Sequence, residues 1–184
     1  MRGTNVLLRE QANVSEALRK RSTTDALTGL HTRGWLDDML RRLAARAEQG
    51  DAPFALLVID VDHFKTVNDT WGHIVGDRVL QQGAEVLRAT VRPTDFAARY
   101  GGGDFSVVLP AVSGPQNATR GGDRIWKRVR NTVRLPKGGS GPPCVTVSIG
   151  VAGHPRGEAA ETLFHRADQL LYRAKNEGRD CIVC

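Results

Sequence analysis

The chain has 184 residues, 40% of them hydrophobic, with 26 Lys and Arg against 20 Asp and Glu for a formal net charge of +6. That length supports one domain with a real core plus an appendage, and it holds neither an apolar run long enough to span a bilayer nor a secretory leader pattern, so a cytoplasmic location is expected. The positive balance suits phosphates and nucleotides, but no nucleic-acid motif accompanies it, and the densest basic run, residues 120–134, reads as a solvated helix face.

In residues 1–24, Val6, Leu7, Val14 and Leu18 recur at loosely helical spacing among charged residues, the pattern of a linker helix or of a frayed tail. Thr28-Gly29 then breaks the chain, and Thr32 stands where a helix N-cap is wanted. Trp35, Leu36, Met39, Leu40 and Leu43 predict an apolar helical face, closed by Gly50-Asp51-Ala52-Pro53. Phe54 to Val61 is a continuous apolar run and reads as a buried central strand. Asp60, near its end, is costly there unless paired or bound to a cation. Asp60-Val61-Asp62 is therefore a site for a hard divalent ion or, equally, the cap of the next turn. A polar, glycine-bearing loop follows, and a helix is predicted from Val75 to Val91 with Val79, Leu80, Ala84 and Leu87 on one face.

Arg92 and Asp95 can sit on one face of a turn as an exposed charged pair. Phe96 to Tyr100 and Phe105 to Leu109 read as the two strands of a hairpin, with Gly101, Gly102 and Gly103 between them. A glycine turn lets a ligand approach the backbone closely. Asn117 to Thr132 reads as a helix, residues 136–143 as a flexible loop, and Val145 to Ala152 as a strand. Ala159 to Glu177 reads as an amphipathic helix with Leu163, Ala167, Leu170, Leu171 and Ala174 inward, stopped at Gly178. Ile182 and Val183 can add an edge strand. Cys181 and Cys184 have CxxC spacing, but no second pair completes a structural zinc site.

Several stretches together resemble the GGDEF domains, the diguanylate cyclases. The run from Asp60 to Asp77 is similar to the family's Asp-x-Asp-x-Phe-Lys-x-x-Asn-Asp-x-x-Gly-His-x-x-Gly-Asp almost letter for letter. Arg99-Tyr-Gly-Gly-Gly-Asp-Phe105 resembles the signature turn Gly-Gly-Asp/Glu-Glu-Phe. Arg92-Pro-Thr-Asp95 resembles the family's Arg-x-x-Asp motif, at the family's spacing from that turn. Asp25 to Arg33 is similar to Asp-x-Leu-Thr-Gly-Leu-x-Asn-Arg, with Thr32 in the Asn position, and the last helix through Arg179 resembles the family's closing helix. The resemblance covers residues 25–183. It implies an α/β fold, a single central, mainly antiparallel sheet flanked by helices, in a GGDEF domain over residues 25–184 behind a linker helix over residues 1–24.

The resemblance also implies a chemistry. In the family, two GTP-loaded domains face each other, and each 3′-hydroxyl attacks the other α-phosphate with two divalent ions in attendance. By position, Asp60 and the carbonyl of Val61 would hold Mg2+. Asn68 and Asp77 would read guanine, and Phe64 and Lys65 would lie along the phosphate-binding turn. Lys175 and Arg179 would contact the terminal phosphates, and Gly101 and Gly102 would admit the nucleotide. Arg92 and Asp95, with Arg124 from the next helix, would bind cyclic di-GMP at the inhibitory site.

The signature departs from the family at the catalytic acid, where this chain has Gly103. The second acid is the shorter Asp104, which strand alternation would turn away from the metal. Losing a metal-binding carboxylate costs orders of magnitude in rate. The expectation is a catalytically degenerate domain that acts as a cyclic di-GMP receptor. It would retain weak GTP binding, dimerise on ligand binding, and take its input from an upstream sensor or receiver domain or a partner protein. Two alternatives stay open, a slow working cyclase and a dimerising, partner-binding module with relic sites.

Overall fold

The computed structural model describes residues 23–136 and 144–184. Its elements run β1 (His31–Thr32), α1 (Arg33–Glu48), β2 (Phe54–Val61), α2 (Phe64–Trp71), α3 (His73–Thr90), β3 (Phe96–Gly101), β4 (Asp104–Pro110), α4 (Pro115–Thr132), β5 (Val147–Gly153), α5 (Ala160–Asn176) and β6 (Ile182–Val183). The six strands form one sheet in the order β1-β3-β4-β2-β5-β6. The inner pairings, β3 with β4, β4 with β2 and β2 with β5, are antiparallel, and the short edges β1 and β6 pair parallel. The sheet is thus mainly antiparallel with helices on both faces, as expected.

The apolar run of β2 lies in the middle because both of its faces are covered. Ala55, Leu57, Ile59 and Val61 pack with Val79, Leu80 and Leu87 of α3 and with Ile125 and Val129 of α4. Leu56 and Val58 pack on the other side with Leu36 and Leu40 of α1 and with Leu163, Ala167 and Leu171 of α5. Burying a large aliphatic side chain is worth about 1.5–3 kcal/mol, so this doubly covered strand anchors the domain.

Several local readings need correction. The run after Asp62 is not a loop. Phe64, Val67 and Trp71 recur at helical spacing and pack on the core, so Phe64–Trp71 forms α2. The helix predicted from Val75 begins at His73, separated from α2 by Gly72 at φ 81°. Thr32 takes the N-cap position of α1 with an extended backbone, but its side chain makes no capping bond. The strand predicted from Val145 begins at Val147, because Cys144 pairs with Arg134 and the Val145 amide donates to the Val133 carbonyl at 3.3 Å. Of the expected linker helix over residues 1–24 and the expected loop over 136–143, residues 1–22 and 137–143 lie outside the described residues. Among the described residues no helix is long and apolar enough to cross a membrane.

The stretch around Asp25 braces the hairpin. The Thr28 amide and hydroxyl donate to Asp25 Oδ1 at 2.9 and 2.7 Å, and Arg99 of β3 pairs with the same carboxylate at 3.3 Å. Burial alone would raise the Asp25 pKa, but the Thr28 hydrogen bonds and Arg99 together hold it below the usual carboxylate value. Arg99 also donates to the Gly102 carbonyl at 3.1 Å, which ties this brace to the glycine turn.

Candidate functional site

The end of β2, the start of β4 and the end of α5 converge at one edge of the sheet. Antiparallel register sets Asp60 directly opposite Asp104, so both side chains leave the same face. Protonated, Asp104 donates to the Asp60 carboxylate. Lys175 of α5 reaches Asp60 Oδ2 at 3.1 Å. This corrects the expectation that Asp104 turns away. Alternation along β4 alone does not fix which face meets Asp60; the cross-strand register does.

Burial first, then the facing Asp60, pushes the Asp104 carboxyl up to about 7, against the pull of Lys175. Folded Asp104 therefore holds its proton over a pH range in which the unfolded chain has lost it. Stability from this group is present in acid and declines as pH rises from about 4 to about 7. Asp104→Asn should remove that decline. Melts without divalent ions should show the variant gaining on wild type between about pH 5 and about pH 8, by roughly 2–4 °C per kcal/mol. A difference independent of pH would sink this reading.

Two facing carboxylates make an oxygen-only pair that a proton or a hard divalent ion neutralises. Among the described residues no third His, Cys, Asp or Glu joins a metal-binding cluster. The residues thus fit one ion at Asp60 and Asp104, with Val61 beside them, and not a site built on a carboxylate at position 103. Asp62 is not part of it. That carboxylate is buried and accepts from the Thr146 and Ser148 hydroxyls, both at 2.7 Å, and from the Asp180 amide at 3.0 Å. Its acceptor capacity is spent on tying β2 to β5 and the C-terminal turn.

Gly103 is buried, its carbonyl accepts the Val61 amide at 3.1 Å, and its φ lies outside the left-handed region. A β-carbon added there would meet the Phe64 side chain at 3.1 Å. Gly102, at φ 50°, makes the tight turn itself. Phe64 and Lys65, expected on a turn, open helix α2 instead, with Phe64 half-buried and Lys65 exposed. The Asn68 carboxamide abuts Gly76, the residue before Asp77 in α3. Gly72 creates that juxtaposition by turning one helix into the next. Arg179 is exposed just after α5, at φ 65°.

A second site lies across the sheet. A cavity of about 570 Å3 is lined by Arg92, Asp95, Ser113, Arg120, Asp123 and Arg124, among others. Arg92 and Asp95 are not an exposed ion pair. Asp95 is only 9% exposed, and its Oδ2 accepts the Arg92 amide at 2.8 Å. That bond fixes the turn and leaves the Arg92 guanidinium at the cavity. Arg120 and Asp123, on α4 with Arg124, were missed in the sequence. Asp123 and Arg124 stand three and four residues after Arg120, and that helical spacing was the available signal.

A family model described as "Diguanylate cyclase, GGDEF domain" matches residues 22–181. The chain belongs to the GGDEF family. It is 41% identical over 167 residues to the diguanylate cyclase DgcP of Pseudomonas aeruginosa, covering 90% of this chain and 24% of that protein. It is 40% identical over 163 residues to the response regulator PleD of Caulobacter vibrioides, covering 88% of this chain and 36% of that protein. The chain thus spans about a quarter to a third of these curated relatives. The coiled coil and GGDEF domain of DgcB from Caulobacter crescentus, solved with c-di-GMP, superposes with a TM-score of 0.80 at 36% identity, covering 98% of this chain and 94% of that one. The GGDEF signature in this chain reads Gly101-Gly102-Gly103-Asp104-Phe105.

Proposed function

We propose that this chain is a catalytically degenerate GGDEF domain that binds cyclic di-GMP in the Arg92 cavity and serves as a receptor in cyclic di-GMP signalling. The observation that carries this reading is the gathering of Arg92, Asp95 and Arg124, from two separate elements, around one cavity of about 570 Å3. Guanidinium groups suit the phosphates and the guanine edge of that ligand, and carboxylates suit the guanine N–H groups. The ligand carries two guanines and two phosphates, so it can bridge two copies of the domain and favour a homodimer. Residues 25–184 form the domain, and residues 1–24 lead into it. An upstream sensor or receiver domain, or a partner protein, supplies the input, and the assembly works in the cytoplasm.

The test has two arms on the purified chain. Titration calorimetry should show cyclic di-GMP binding, and incubation with GTP and Mg2+ should yield product far below the order of one turnover per second. Absence of binding would overturn the receptor reading, and turnover at that rate would overturn the degenerate one.

The facing of Asp60 and Asp104 favours a second reading, a slow cyclase. In that case Asp60, Asp104 and the Val61 carbonyl would hold one Mg2+, which would supply charge neutralisation at the α-phosphate. Asn68 and Asp77 would orient guanine, Gly101 and Gly102 would admit the nucleotide, and Lys175 and Arg179 would hold its terminal phosphates. On either reading Asn68→Ala should weaken GTP binding by roughly five- to tenfold, the worth of a hydrogen bond of about 1 kcal/mol or slightly more. Calorimetry with GTP checks it, and unchanged affinity would refute the guanine assignment.

A further inference from the structure

Arg179 and Asp180 are consecutive non-glycine residues in the left-handed region, at φ 65° and 48°. A bulky side chain seldom adopts that conformation, and two in a row persist only where the surroundings over-determine them. The constraints converge on Asp180. Its amide donates to the buried carboxylate of Asp62 at 3.0 Å. Its Oδ1 accepts the Trp126 indole N–H at 2.8 Å, and its Oδ2 pairs with Arg130 at 2.9 Å. Arg130 in turn lies over the Trp126 ring, 5.4 Å from its centroid. Trp126 and Arg130 both belong to α4, so the turn after α5 is stitched to a different helix. On its other side the Arg179 amide closes on the Ala174 carbonyl at 3.0 Å, next to Lys175, which reaches Asp60.

We infer that Asp180 is a positioning residue for nucleotide binding: clamped by Asp62, Trp126 and Arg130, it holds Arg179 in its left-handed conformation so that Arg179 and Lys175 present one cationic surface to the terminal phosphates. The inference rests on the proposed nucleotide site. It adds residues that touch no nucleotide. The chemistry follows from geometry. An arginine held in place loses less freedom on binding a phosphate than one on a loose turn. The benefit falls on the β- and γ-phosphates, because guanine recognition by Asn68 and Asp77 lies on α2 and α3.

The test compares GTP with GMP by calorimetry, in Mg2+, on the full chain. Wild type should bind GTP more tightly than GMP. Asp180→Ala should lower GTP affinity about tenfold while leaving GMP affinity within about twofold, the loss of charge-assisted positioning and not of guanine contacts. Asp180→Asn keeps an acceptor for Trp126 and should restore most of the preference. Asp180→Gly relieves the backbone without restoring the clamp and should behave like the alanine variant. Trp126→Phe, which removes the indole donor but keeps the ring, should shift GTP in the same direction. Equal losses for GTP and GMP would mark Asp180 as merely structural and overturn the inference. So would an alanine variant with wild-type preference, or full rescue by glycine. A wild type that binds GTP no better than GMP would overturn both this inference and the proposed phosphate site, and so is distinct from the other failures.

Discussion

Gly103→Glu is expected to raise cyclic di-GMP formation from GTP by about a hundredfold or more, since a carboxylate on a divalent ion is worth several kcal/mol at a transition state and each 1.36 kcal/mol is tenfold. The backbone permits the change, because position 103 lies outside the left-handed region that would resist a side chain. The obstacle is Phe64. A β-carbon would stand 3.1 Å from its side chain, so the ring must give by a few tenths of an ångström. Phe64 is only half-buried, at the first turn of α2, and has room to give. The new side chain would leave the hairpin toward Phe64, beside the Val61 backbone with which Gly103 pairs. Product formation with Mg2+ or Mn2+, measured beside a thermal melt, checks this. Gly103→Ala is the control for sterics and should fold without gaining activity. A folded, GTP-binding Gly103→Glu variant, alone or with Asp104→Glu, that stays at the wild-type rate would show decay elsewhere, with Thr32 the first position to examine.

Arg92→Ala is expected to weaken cyclic di-GMP binding by roughly ten- to hundredfold, the loss of a charge-assisted contact of about 1.5–3 kcal/mol. The fold should not suffer, because Asp95 holds the turn through the Arg92 amide and not through its side chain. Arg92→Lys should fall between, since an ammonium keeps the charge but not the planar fork. Arg124→Ala should act in the same direction, since Arg124 lines the same cavity. Side-by-side titrations decide the matter. Equal affinity for wild type and Arg92→Ala would move the ligand to another site.

Much of the domain is legible along the chain because its elements follow local periodicity. The apolar run of β2, the stripes of α1 and α5 and the glycine hairpin all emerge where spacing places them. Polar and glycine positions from Asp60 to Asp77 carry the family likeness in one dimension. The misreadings share a cause. α2 hides in a polar run because its apolar residues, Phe64, Val67 and Trp71, are few, and only packing on the core reveals which spacing matters. β1 is two residues long and exists through its pairing with Ala98 and Arg99.

The sequence alone determined that position 103 lacks a carboxylate, that Arg92 and Asp95 keep their spacing, and that a doubly buried strand carries Asp60 near its end. These are facts of residue type and interval. The tertiary structure decided that Asp104 faces Asp60, because strand register is a long-range pairing that no single strand contains. It decided that Asp95 accepts the Arg92 amide within the turn, that both residues line one cavity with α4, and that α4 also supplies the clamp on Asp180. Those roles arise where distant segments meet, since a side chain's function depends on what packs opposite it and local spacing carries no record of that.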